Sequence, residues 1–151
     1  MRSERYTKFI SRLKTKDLIP LDGAIGTELQ KRGVKMDGSW CGSASLHQDI
    51  LKKVHIDYIN AGSKIITTNT YASSRIMLKA ASMEKRFEEI NLKAVNSALS
   101  ARKETNKNDV LIAGSISHRY PIADGDVLSQ AVVNVSKNEL QDSTYEMLNL
   151  L

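Results

Sequence analysis

The chain has 151 residues, 22 Lys plus Arg against 17 Asp plus Glu (net +5), and 41% hydrophobic residues. That apolar content suffices for one domain with a core and excludes a disordered tail. One cysteine, Cys41, excludes an internal disulfide framework and a zinc site built mainly from the chain's own thiolates.

The opening segment, MRSERYTKFISRLKTKD, is charged throughout and lacks the apolar core of a signal peptide. No apolar run approaches the ~20 residues of a membrane span. The expected location is cytoplasmic, with no membrane partner. Basic residues recur along the chain without a run longer than a pair, such as Lys31-Arg32. Aromatics do not interleave with them as stacking platforms would. A solvated helical face is expected, and no nucleic-acid partner.

In chain order, Tyr6, Phe9, Ile10 and Leu13 define one face of a helix over 3–15. Leu18-Ile19-Pro20-Leu21 reads as a buried strand ending in the turn Asp22-Gly23, although Pro20 lacks a ladder donor. A short helix follows over 24–31, stopped near Gly33, and then a Gly/Ser-rich loop over 34–45. Ile50, Leu51, Val54, Tyr58 and Ala61 mark a helix over 48–61, with Gly62 as its C-cap. Residues 64–70 form the next strand, rich in β-branched side chains.

A helix over about 85–103 presents Phe87, Ile90, Ala94, Ala98 and Ala101, with Glu89 placed to support Lys93. The third strand covers 110–116. A loop carries Tyr120-Pro121 and Asp124-Gly125-Asp126. The last helix opens on the capping-box pattern Ser136-x-x-Glu139. The alternation predicts an α/β fold with parallel strands and crossover helices. In such folds ligands bind at the carboxyl ends of the strands, so Asp22-Gly23, Thr68-Asn69-Thr70 and Gly114-Ser115 should share one edge.

Asp22 there either receives an ammonium group or caps a helix, and Gly23 and Gly26 allow backbone to approach a ligand. The hydroxyls and amide of 67–71 suit a zwitterionic ligand, or are simply threonines of a sheet. Ser115 either offers a backbone donor to a carboxylate or ends a strand. His47, His55 and His118 lack the spacing of a helical metal site; His47 and His55 are expected to be solvated or at a helix N-terminus. Cys41 reads as a bystander thiol. Asn134-Val135-Ser136 fits a glycosylation sequon, relevant only to a secreted protein.

Three segments, LDGAIGTELQKRG (21–33), VHIDYINAGSKIITTNTYASS (54–74) and IAGSIS (112–117), in this order resemble the homocysteine S-methyltransferase family. WCGSASLHQDILKKVH resembles that family's loop-to-helix link, and the likeness covers about residues 16–151. The resemblance implies a (β/α)₈ barrel that methylates the homocysteine thiol to give methionine, with a donor such as S-methylmethionine, S-adenosylmethionine, betaine or a methylated folate. It implies a zinc ion held by three cysteines, which deprotonates the thiol.

By the same resemblance Asp22 takes the substrate amino group and the Thr68-Asn69 strand end lines the amino-acid pocket; Gly23 and Ser115, from the reading of the residues above, complete the candidate substrate-binding set. Trp40 and Tyr71 would flank a cationic methyl donor. The chain does not contain the zinc cysteines or the fourth-strand carboxylate, and a whole barrel needs about 250 residues. Residues 1–151 are therefore expected to be a single N-terminal portion of the barrel: a leading helix and the first three parallel β/α units. Alone it should be inactive, and it should self-associate or await the missing C-terminal half. The alternatives are a non-catalytic amino-acid-binding module or a truncated gene product.

Overall fold

The computed structural model describes residues 4–15, 17–117 and 135–151. The expectations for His118, Tyr120-Pro121, Asp124-Gly125-Asp126 and Asn134 lie outside the described residues.

Helix α1 (Glu4–Lys14) and α2 (Ile25–Lys31) form where the apolar spacing placed them. Gly33, at φ +85°, ends α2 in a backbone conformation that glycine adopts without Cβ strain. A 3₁₀ turn over Ser43–Leu46 leads into α3 (Gln48–Asn60), followed by Gly62 at φ +106°. Strand β1 (Ile65–Thr67) precedes a short α4 (Arg75–Lys79), and α5 (Phe87–Glu104) follows a 3₁₀ turn at Glu84–Arg86. Strand β2 (Leu111–Ala113) and α6 (Lys137–Leu150) complete the described chain.

The core is helical on one side of the sheet. Ala94, Ser97, Ala98 and Ala101 give α5 a face of small buried residues, and α3 packs closely on that helix. Ser97 Oγ donates to the Lys93 carbonyl within α5 at 2.8 Å and lies 3.4 Å from the Gln48 carbonyl at the start of α3. Ile59 of α3, Ile66 of β1, Ala98 and Ala101 of α5 and Val110 close the layer between helices and sheet. A second cluster, Leu78, Phe87, Ile90 and Met147, docks α4 and α6 on α5. Arg75 reinforces it: Nε lies 3.0 Å from both carboxylate oxygens of Glu146, and the guanidinium sits 4.7 Å from the Phe87 ring centroid.

The sheet is parallel, with Ile65, Ile66 and Thr67 opposite Leu111, Ile112 and Ala113. It is smaller than the three strands expected. The Leu18–Leu21 segment is not a buried strand: it makes one parallel bridge, Leu21 to Ile65, and Leu18 and Leu21 are 92% and 61% exposed. Two backbone bonds hold it, Asp22 N–H to the Ile65 carbonyl (3.1 Å) and Lys64 N–H to the Pro20 carbonyl (2.8 Å). Pro20 can accept but not donate, so the ladder cannot extend through it. The architecture is α/β, with two regular parallel strands and a bridged third segment where three full units were expected. The flanking strands are also shorter than 64–70 and 110–116, because the residues after Thr67 turn into side-chain-bonded loops.

The capping box of α6 forms as read: Ser136 Oγ accepts from Glu139 N–H (3.2 Å), and the Glu139 carboxylate accepts from Ser136 N–H (2.8 Å). Ser136→Ala is expected to cost about 1 kcal/mol, read as a lower midpoint in urea unfolding. An unchanged midpoint would show that α6 does not contribute to the cooperative unit.

Candidate functional site

Parallel register brings the three polar segments to one edge, at the carboxyl ends of Leu21, β1 and β2. Asp22 follows the bridge and is half-buried. Its carboxylate is held from the neighbouring strand: Thr67 N–H donates to Oδ2 at 2.6 Å and Thr67 Oγ1 to Oδ1 at 2.9 Å. The helix-cap alternative is not what the structure shows. The residue that caps α2 is Ala24, without a side-chain bond, so Asp22 is a strand-end carboxylate and not a helix cap. A carboxylate has about four acceptor positions; Thr67 occupies two.

Gly23 lies against Tyr58, where a Cβ would come within 2.8 Å of the phenol oxygen. Tyr58 Oη donates to the Ala24 carbonyl at 3.3 Å, bracing the turn from α3. Burial and the carboxylates of Glu28 and Asp22 push the phenol pKa above its usual value, so it remains a neutral donor.

Thr68 and Asn69 are buried, and their polar atoms join loops. Thr68 Oγ1 lies 2.8 Å from Thr70 Oγ1, and Thr70 Oγ1 donates to the Ser115 carbonyl at 2.7 Å. Ser115 N–H returns a bond to Thr70 Oγ1 at 3.1 Å. These bonds lock the loop after β1 to the loop after β2. Asn69 Nδ2 reaches the other way, to the Cys41 carbonyl (2.9 Å) and Ser45 Oγ (3.0 Å).

The loop of residues 37–45 is thereby drawn over the edge. Inside it, Asp37 accepts from Ser39 N–H (2.8 Å), Ser39 Oγ (2.6 Å) and Ser43 Oγ. Trp40 sits at φ +63°, an uncommon conformation for a bulky residue; reciprocal backbone bonds with Asp37 hold it there. Trp40 and Tyr71 are 53% and 40% exposed. The segments carrying them touch through Gly42 and Ala72.

The structure therefore places these residues along one edge through separate contacts: Asp22 is bonded to Thr67, Thr68 and Ser115 to Thr70, and Asn69 to the 37–45 loop, while Gly23 lies against Tyr58 and Trp40 and Tyr71 are exposed aromatics on the adjoining loops. The sequence reading missed Asp37 and Ser45, and it offered the Thr67 and Thr70 hydroxyls to a ligand where the structure bonds them to Asp22 and Ser115. The Asp-x-Ser-x-x-x-Ser pattern at 37–43 was a signal for an Asx-type turn.

Cys41 is partly buried, and desolvation raises its thiol pKa, as suits an inert thiol. Among the described residues there is no group of three or more His, Cys, Asp or Glu placed to hold a metal, and no helix long and apolar enough to cross a membrane. His47 is exposed at the start of α3, whereas His55 is fully buried, against the expectation of a solvated residue. The reason is its position one residue beyond Val54, on the α3 face that turns to the core.

Residues 19–151 match a family model described as homocysteine S-methyltransferase. An S-methylmethionine–homocysteine S-methyltransferase of Pongo abelii is 31% identical over 108 residues, covering 71% of this chain and 28% of the relative. Homocysteine S-methyltransferase 2 of Saccharomyces cerevisiae is 34% identical over 71 residues, 39% of this chain and 22% of the relative. The crystal structure of the homocysteine methyltransferase MmuM from Escherichia coli, in its metallated form, aligns with a TM-score of 0.61 at 24% identity. That alignment covers 90% of this chain and 53% of the other. The chain thus spans about a quarter of the curated relatives and about half of the solved one.

Proposed function

Because the chain belongs to the homocysteine S-methyltransferase family, we propose that its strand-end edge binds the amino-acid acceptor of a methyl transfer, homocysteine, through the Asp22 carboxylate. The observation that carries this reading is the double hold of Thr67 on Asp22. It fixes a carboxylate at the mouth of a parallel sheet with two acceptor positions left for an ammonium group, and a charge-assisted bond of that kind is worth about 1.5–3 kcal/mol. Trp40 and Tyr71 supply exposed aromatic faces to a sulfonium or quaternary ammonium methyl donor.

Zinc would supply the chemistry that turns the acceptor thiol into a thiolate nucleophile. The residues present do not fit a three-thiolate cage, since the whole chain has one cysteine and its pKa is raised by burial. Residues 1–151 therefore bind and orient the acceptor, acting as the N-terminal portion of the barrel domain, and methylation to methionine requires thiolate ligands from further polypeptide. That polypeptide, or a second copy, would cover the exposed Leu18 and Leu21.

Calorimetry with L-homocysteine in metal-free buffer tests the reading. The chain is expected to bind, and Asp22→Asn to weaken binding about ten- to a hundredfold. The analogue lacking the amino group should bind both proteins alike. Equal affinity of the two proteins for homocysteine, or no binding by either, would overturn the assignment.

A further inference from the structure

Packing does not explain the conformation of Trp40. Its backbone stands at φ +63°, in the left-handed region, while its side chain is 53% exposed. A bulky residue keeps such a backbone only where its surroundings over-determine it. The ring gains little from burial, so hydrogen bonds hold the turn, and they centre on Asp37. Asp37 N–H donates to the Trp40 carbonyl at 3.3 Å, and Trp40 N–H to the Asp37 carbonyl at 2.8 Å. The Asp37 carboxylate takes donors from both sides of Trp40: Ser39 N–H and Ser39 Oγ on Oδ1, Ser43 Oγ on Oδ2. Three of its roughly four acceptor positions are thereby used inside one turn.

The turn is also seated on its neighbours. A Cβ on Gly38 would stand 2.4 Å from the Ala80 carbonyl oxygen, and one on Gly42 would stand 1.9 Å from that of Ala72. Ala72 adjoins Tyr71, so the loop bearing Trp40 is pressed against the loop bearing Tyr71. Among the described residues the two rings neither stack on each other nor carry a cation of the chain.

We propose that Asp37 is a positioning residue for a cationic ligand: its carboxylate ties the 37–43 turn so that Trp40 presents a fixed indole face to a quaternary ammonium or sulfonium group. The proposal deepens the donor reading above and rests on it. Attraction to an aromatic face needs the cation within about 6 Å of the ring centroid, so it depends on where the ring stands. A turn ordered before binding also spares the ligand the cost of ordering it. Asp37 acts through Trp40 and not through its own charge.

Trp40 is the only tryptophan in the chain, so intrinsic fluorescence reports on this one ring. The test titrates the full chain with choline chloride, and with its uncharged carbon analogue 3,3-dimethylbutan-1-ol, at constant ionic strength. Choline should shift Trp40 emission saturably and bind the wild type more tightly than the analogue does. Asp37→Ala should weaken choline binding about fivefold, the worth of one exposed cation–π contact. It should also add a nanosecond component to the fluorescence anisotropy decay. Homocysteine affinity, read by calorimetry, should stay at the wild-type value. Asp37→Asn keeps an acceptor for Ser39 N–H and offers Nδ2 to the Ser43 hydroxyl, so it should stay within about twofold of wild type. Ser43→Ala, which removes one bond of the turn, should lose about twofold and decides the matter if Asp37→Ala does not fold.

Wild-type choline affinity in folded Asp37→Ala, or in Ser43→Ala where the first does not fold, would overturn the proposal. So would a loss in Asp37→Asn equal to that in Asp37→Ala, which would make charge the cause. Choline binding by none of the proteins would overturn the donor reading together with this proposal. The Asp22 assignment would then still be judged by its own calorimetry.

Discussion

Replacing Gly42 with alanine lowers the stability of the chain by about 3 kcal/mol, in the range of severe overpacking. The backbone at Gly42 is ordinary right-handed helical, φ −61° and ψ −49°, so no conformational strain is involved. The cost is steric. An added Cβ would stand 1.9 Å from the Ala72 carbonyl oxygen, 2.7 Å from its carbon and 3.0 Å from Ser39 Oγ. The first two are backbone atoms, which cannot rotate away, so the 37–45 loop must lift from the loop after β1. That movement breaks the bond from Asn69 Nδ2 to the Cys41 carbonyl and leaves buried polar groups unpaired. Gly33→Ala is the matched control: at φ +85° with open space around it, it should cost only about 1 kcal/mol. Urea unfolding of both variants checks the pair. Equal losses would show that the two loops are not packed together in solution.

His55 makes the folded chain acid-sensitive. It is fully buried on α3, and neither ring nitrogen has a hydrogen-bond partner among the described residues. Burial pushes its pKa down from 6.5 to about 4. The unfolded chain therefore takes up a proton below pH 6.5 while the native chain does not until about pH 4. Stability falls as pH drops through this window, by about 2 kcal/mol between pH 6.5 and 5 and about 3 kcal/mol in all. Below pH 4 this group contributes no further loss.

His55→Leu removes the slope in that window. It also removes two unsatisfied buried nitrogens, which should raise stability at pH 7 by about 1–2 kcal/mol. Denaturation of both proteins at pH 5 and pH 7 provides the comparison. A variant with the same pH slope as the wild type would place the acid sensitivity elsewhere.

The helices were legible because their signals are local. The three- and four-residue apolar spacing in 48–61, Gly33 and Gly62 in left-handed backbone, the Ser136–Glu139 box and the Glu89–Lys93 pair at 2.9 Å all depend on neighbours within one or two turns. The α4 helix went unread because five residues show no periodicity; its one local mark is Ser74, whose side chain accepts from Met77 N–H at 3.3 Å. The strands were legible in place but not in extent. A β-rich composition promises a strand, and only a partner's hydrogen bonds create one. Leu18–Leu21 has Pro20 and a single bridging residue, and it remains exposed.

By itself the amino-acid sequence determined the α/β alternation, the family, the positions of Asp22, Thr68–Asn69 and Ser115 after their strands, and the lack of a cysteine set for zinc. Tertiary structure alone decided what those residues do. Asp22 is an oriented carboxylate because the parallel bridge of Leu21 to Ile65 brings Thr67, 45 positions along the chain, within hydrogen-bond reach of it. Thr70 and Asn69 tie loops because the strand ends and the 37–45 loop converge on them. His55 is buried on α3 and has no hydrogen-bond partner among the described residues, a depth set by the packing of α3 on the small-residue face of α5. Spacing along a chain encodes contacts within a turn or two, whereas a hydrogen-bond partner or a burial depth belongs to groups brought together only by the fold.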